Sequence, residues 1–262
     1  MPTDSFFSKV AFIIEEYWPM FLTGIGSTLL VALTGTVIGF FVGLLVAIVR
    51  SVPIKSKAKW YQKYPMKLLH IIMNVYIEVF RGTPMIVQAM VIYYGSMQFL
   101  NLDLSVTVTA IFIVSINTGA YMAEIIRGGI LSIDKGQKEA AHAIGMSHWQ
   151  MMVSVVLPQA VRNIMPAIGN EFVVNIKDSS VLNVISLNEL YFASKSVAGT
   201  YYMYFEVFFI TAVIYLVLTF SVTRLLRLLE RWMDGPKHYT IHGSQTYSKA
   251  ELKVDESEVS HG

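Results

Sequence analysis

No cysteine occurs among the 262 residues, so disulfides, thiolate metal sites and a cysteine nucleophile are all excluded. Charge is scarce, at 15% of residues against about 25% in an ordinary soluble domain. The net charge of +2 is too small to point to nucleic acid. No Gly-x-x-x-x-Gly-Lys-Ser/Thr loop is present, which excludes ATP binding through a P-loop. A zinc-type His-Glu-x-x-His and a Gly-x-Ser-x-Gly are likewise missing, so no residue is nominated for catalysis. Residues 1–9 lack a basic stretch before a short apolar core, which argues against a cleaved signal peptide.

Apolar sequence is abundant: 54% of residues are hydrophobic and mean hydropathy is +0.53. Met20 to Val49 contains no ionisable residue. As a helix it would extend about 45 Å, against a hydrocarbon core of about 30 Å. Uncharged runs recur at residues 82–102, 104–123 and 207–223, and residues 161–185 form a more polar fifth segment carrying Arg162, Glu171, Lys177 and Asp178. The expected fold is an all-α membrane protein of five transmembrane helices, near residues 20–49, 82–102, 104–126, 161–185 and 205–227. An external segment would occupy 1–19, the membrane domain 20–234, and a disordered cytoplasmic tail 235–262. Metal binding by the tail's His238, His242 and His261 is weighed against the commoner case of stray histidines.

Basic residues set the orientation. Arg50, Lys55, Lys57, Lys59, Lys63 and Lys67 follow the first run with no acid among them. Arg127, Lys135 and Lys138 follow the third, and Arg224, Arg227, Arg231 and Lys237 the last. The intervening connections, at Asp103 and around Lys195, are neutral or acidic. The N-terminus, with Asp4, Glu15 and Glu16 against Lys9, is expected outside and the C-terminus in the cytoplasm. Gly35, Gly39 and Gly43 make a small-residue face for close helix approach, either between subunits or within one.

Residues 136–158 read GQKEAAHAIGMSHWQMMVSVVLP. Ala140, Ala141, Ala143 and Ile144 favour a short helix, with Glu139 near its positive end and Gly145 suited to a left-handed stop. A partner-docking helix and a helix lying on the membrane surface both fit this pattern. In the fourth span, Glu171, Asn175 and Asp178 share one face, and Asn163, Asn170 and Lys177 an adjoining stripe. Charges inside a span face a cavity or a partner. They would either bind a substrate's ammonium, with Arg81 or the backbone of Gly82, Thr83 and Pro84 taking its carboxylate, or form an ion pair that organises the bundle. Glu78 with Arg81, and Glu124 with Arg127, have the spacing of local pairs. Gln88 and Asn117 are candidates for lining a path or for hydrogen bonding between helices.

Glu139-Ala140-Ala141, Gly145 and Val155-Val156-Leu157-Pro158 resemble the signature of membrane subunits of bacterial ATP-binding-cassette (ABC) importers, with Val155 in place of the usual Ile. Residues 78–84 (EVFRGTP), 119–128 (GAYMAEIIRG) and 177–180 (KDSS) are similar to segments of the polar amino-acid class that carries His, Gln, Arg or cystine. The resemblance implies that Glu139, Ala140, Ala141 and Gly145 belong to a coupling helix (about 136–150) seated in a separate ATPase, which alone would use ATP and magnesium. It implies a second permease subunit (the same chain or a paralogue), an extracytoplasmic solute-binding protein, and a lipid-embedded bacterial inner-membrane location. It also implies a polar amino acid as cargo, with Glu171, Asp178, Arg81, Gly82, Thr83 and Gln88 as candidate contacts. The competing reading is an ion-gradient-driven carrier or channel, against which the chain offers no inverted repeat.

Overall fold

A computed structural model describes residues 5–52 and 60–234. The readings made for Asp4, for Lys55, Lys57 and Lys59, and for the tail with its histidines lie outside the described residues.

The chain forms α1 (Phe6–Ser51), α2 (Trp60–Gly82), α3 (Met85–Leu100), α4 (Val106–Leu131), α5 (Lys135–Ala143), α6 (His148–Met151), α7 (Leu157–Asp178), α8 (Leu190–Tyr201) and α9 (Tyr204–Asp234). A π-helical turn at Met152–Val156 joins α6 to α7, immediately before Pro158, and a 3-10 stretch at Ser179–Ile185 follows α7. Among the described residues, four helical stretches are long and apolar enough to cross a membrane: α1, α4, residues 149–185 and α9. The pair α2–α3, bent by 112°, makes a fifth if counted as one span. The fold is thus an all-α, multi-span membrane protein with four such helices, or five with the bent pair. Large apolar side chains such as Leu45, Leu216 and Trp232 are exposed, as expected of a surface solvated by lipid.

Three differences from the sequence expectation have physical reasons. First, α1 starts at Phe6, not near Met20, and its 46 residues extend roughly 69 Å. Glu15 and Glu16 end the uncharged run without ending the helix. Second, the run 82–102 is only the second arm of the bent pair; Gly82 closes α2, and Pro84 precedes α3. Proline disfavours helical geometry in the residue before it, so Thr83 is where the chain turns. Third, the connection after residue 185 contains a helix, α8, that hydropathy does not announce. Its cap is Glu189, fully buried, which accepts hydrogen bonds from the backbone N–H of Tyr191 at 2.8 Å and Phe192 at 2.7 Å and from the Tyr215 hydroxyl at 3.2 Å. Burial pushes the Glu189 carboxyl above its ordinary range, and these hydrogen bonds draw it back.

The central seam is α1 on α4. A Cβ added at Gly39 would lie 2.8 Å from Thr118 Cβ, and one at Gly43 would lie 2.8 Å from the backbone N of Ala123. Gly35 is closed in by Val114 in the same way. These glycines therefore serve packing within one subunit. The pairs 35–114, 39–118 and 43–122 rise together, so α1 and α4 run parallel. α7 runs against α4, since Gly129 meets Ile164 while Thr118 meets Asn175. Asn175 ties all three helices: its amide nitrogen donates to Thr36 Oγ1 at 2.8 Å and to Thr118 Oγ1 at 3.0 Å. α9 starts beside the start of α1, where Lys9 and Glu206 pair at 3.3 Å. Among the described residues, no buried side-chain nitrogen or oxygen lacks a hydrogen-bond partner, the condition a hydrocarbon surrounding imposes.

Filling the seam should be costly. Gly39→Val is expected to destabilise the protein by about 1–3 kcal/mol through overpacking. Gly26→Ala, where nothing lies within 4 Å of the added Cβ, should leave stability unchanged or slightly raised. Thermal unfolding in detergent measures both.

Candidate functional site

The break between α2 and α3 leaves the last carbonyls of α2 without helical partners. Two amides take them up. Gln88 Nε2 donates to Phe80 O at 3.0 Å and to Thr83 O at 2.9 Å. Asn117 Nδ2, from α4, donates to Phe80 O at 3.1 Å and to Gln88 Oε1 at 2.9 Å. Both side chains are buried. Gln88 therefore sits behind the bend and holds it, while Asn117 also reaches the cavity wall.

In front of the bend lies a cavity of about 430 Å³, within the usual size of small-molecule sites. Arg81, Gly82, Thr83 and Pro84 line it from the α2–α3 side, and Glu171 and Asp178 from α7. All the sequence-nominated substrate residues except Gln88 thus converge on one space. Asn175 lies between the two acids on α7 but is committed to the α1–α4 seam by its bonds to Thr36 and Thr118. Tyr121 was missed by sequence reasoning. It lines the cavity, and the Arg81 guanidinium sits 5.3 Å from the centre of its ring, within cation–π range. Its only sequence signal is its place in the run GAYMAE.

The ion pairs among the described residues are Lys9–Glu206, Arg50–Glu124 and Glu124–Arg127. The expected Glu124–Arg127 pair is present at 2.8 Å, extended by Arg50 from α1. Glu78–Arg81 is not among these pairs, and neither Glu171 nor Asp178 pairs within 4 Å with Lys177 or Arg81. The two carboxylates and one guanidinium of the cavity are thus held apart, with room between them for a ligand that carries both charges.

A second surface lies at the other end of α7. Asp134 caps α5, accepting from Gly136 N at 2.6 Å. The helix ends in a Schellman arrangement: Met146 N donates to Ala141 O and Gly145 N to His142 O, both at 3.0 Å, with Gly145 at φ +82°. This is the left-handed stop expected there. Ala141 packs inward against Ile133, Met151 and Val156. Glu139 and Ala140 point outward, and Ile144 and Trp149 are 76% and 74% exposed. Two large apolar side chains exposed on either side of this turn make a surface suited to a partner.

The family model for "Binding-protein-dependent transport system inner membrane component" matches residues 58–235. The chain is 36% identical to the glutamine transport system permease protein GlnP of Escherichia coli (strain K12), over 82% of this chain and 93% of that protein. It is 35% identical to the arginine transport system permease protein ArtQ of Bacillus subtilis (strain 168), over 81% and 92%. Among solved structures it resembles an amino acid ABC transporter crystallised with histidines, at 39% identity and a TM-score of 0.76, covering 88% of this chain and 99% of that one. The MetNI methionine ABC transporter, at 17% identity and a TM-score of 0.66 over 84% and 98%, shares the fold.

The clamp behind the bend can be tested apart from transport. Gln88→Met keeps the volume but takes the side-chain donor from the Thr83 carbonyl and the Gln88 acceptor from Asn117, and should cost about 1–3 kcal/mol in thermal unfolding. Unchanged stability would show that the amide does not hold the bend. With an ABC-type signature, a matching family model over most of the chain and relatives covered almost end to end, the gradient-driven reading gives way: this chain belongs to the binding-protein-dependent transport system inner membrane components, as a multi-pass permease subunit of a bacterial ABC importer of the amino-acid class.

Proposed function

We propose that the cavity between the α2–α3 bend and α7 is the station through which the importer passes a polar amino acid. The observation that carries this is its charge pattern. One guanidinium faces two carboxylates across a space large enough for a free amino acid, without pairing to either. Arg81 and the backbone around Gly82 and Thr83 would take the α-carboxylate, and Glu171 or Asp178 the α-ammonium. The remaining carboxylate favours a cargo with a second cationic group, in keeping with the arginine named for one relative; another, 36% identical, is named for glutamine.

The proposed topology has five spans with the N-terminus outside. Because α1 and α4 run parallel, the α2–α3 pair has to return the chain across the membrane between them. That direction agrees with the basic residues at the end of α1, after α4 and in the last turns of α9. α5 with Gly145 is the coupling helix, presenting Glu139, Ala140, Ile144 and Trp149 to a separate ATPase that binds ATP and magnesium. A second permease subunit and an extracytoplasmic solute-binding protein complete the assembly.

Replacing the acids tests the cavity. Glu171→Gln and Asp178→Asn should each raise the apparent KM for labelled arginine at least tenfold, since a charged hydrogen bond lost is worth about 1.5–3 kcal/mol. Normal KM in both would remove the substrate role. Coupling has its own readout: Ile144→Asp should abolish co-purification with the ATPase while leaving the thermal stability of the permease intact, because the side chain is exposed.

A further inference from the structure

α7 carries its acids and its lysine on different sides. Asp178 lines the substrate cavity, whereas Lys177, about 100° away around the helix, lines a separate groove of about 310 Å³ between α7 and α9. Arg224 and Arg227 of α9 line the same groove. All three cations are exposed, none belongs to an ion pair among the described residues, and no acid lines the groove. The Arg224 guanidinium lies 4.8 Å from the centre of the Phe220 ring, which holds it against the wall. Thus three cationic side chains line one groove beside the end of the uncharged run 207–223 of α9, among Val173, Leu216, Thr219, Phe220 and Thr223.

Charge on a lipid-facing surface is expensive unless compensated. A long lysine stem lets its ammonium reach along an apolar wall toward a polar depth. The anion that reaches this depth from the membrane itself is a phospholipid phosphate. Basic pockets between membrane helices suit such head groups, and exposed Leu216 and half-buried Val173 offer an apolar wall for an acyl chain. We infer that the α7–α9 groove is a binding site for an anionic phospholipid, its phosphate held by Lys177, Arg224 and Arg227. Because Lys177 adjoins Asp178 on the helix that runs from the docking surface to the substrate cavity, occupancy of the groove would bear on the orientation of that helix.

Native mass spectrometry of the full-length chain in detergent tests this with dioleoylphosphatidylglycerol against dioleoylphosphatidylcholine. The wild type should retain the anionic lipid at concentrations on the order of a hundredfold lower than the zwitterionic one. The triple variant Lys177→Gln, Arg224→Gln, Arg227→Gln should lose that preference. Lys63→Gln with Lys67→Gln, on α2 and away from the groove, should keep it. If the triple variant does not fold, the single variants decide, each expected to weaken retention roughly fivefold. No preference in the wild type, or a preference unchanged in the groove variants, overturns the inference. So does efficient cross-linking of Lys177→Cys to a second copy of the chain, which would make the groove a protein interface.

Discussion

A helix cannot be broken inside a membrane without finding new partners for the backbone groups it frees. The architecture of this permease turns on one such break, at Thr83 and Pro84. Its carbonyls are taken up by Gln88 and Asn117, so the two amides form the floor on which the bend rests. The bend in turn puts Arg81, Gly82 and Thr83 on the wall of the polar cavity, opposite Glu171 and Asp178. The α1–α4 seam supplies the rigid backing. Its glycines bring the two helices close, and Asn175 locks α7 to both through Thr36 and Thr118.

The two functional surfaces share α7. With the turns that flank it, this helical stretch runs without a loop from Trp149, beside the docking surface, to Ile185, past the cavity. On the proposed assignment, a displacement imposed on α5 and its Schellman turn would reach Glu171 and Asp178 through one continuous helical segment. Ala141 shares a buried apolar cluster with Met151, Val156 and Ala160 of this stretch. On the proposed assignment, that is how ATP-driven movement outside the membrane would reach the cargo.

Much of this was legible in the sequence because it rests on local chemistry. The uncharged runs marked α1, α4 and α9. Gly145 announced its left-handed turn, and the seven-residue spacing of Glu171 and Asp178 put both on the cavity side of α7. What was not legible depends on partners distant in sequence. Asn175 reads as a polar group beside the acids, yet it is satisfied by Thr36, 139 residues away. Gln88 reads either as a path-lining amide or as a hydrogen-bonding partner between helices; its bond to Asn117 is of the second kind, while its carbonyl acceptors exist only once the helix is broken. α8 is hidden because Glu189, an unusual cap, is buried against α1 and α9. The true start of α1 is masked by two glutamates that hydropathy treats as an end.

The central claim, that ATP hydrolysis by a separate subunit drives an amino acid through this chain, is tested most directly by uptake into proteoliposomes. The permease would be reconstituted with its cognate ATPase and solute-binding protein, and a panel of labelled amino acids supplied with ATP or with an imposed ion gradient alone. The account predicts accumulation of a polar amino acid only when ATP is hydrolysed. Accumulation driven by the gradient without the ATPase would contradict it.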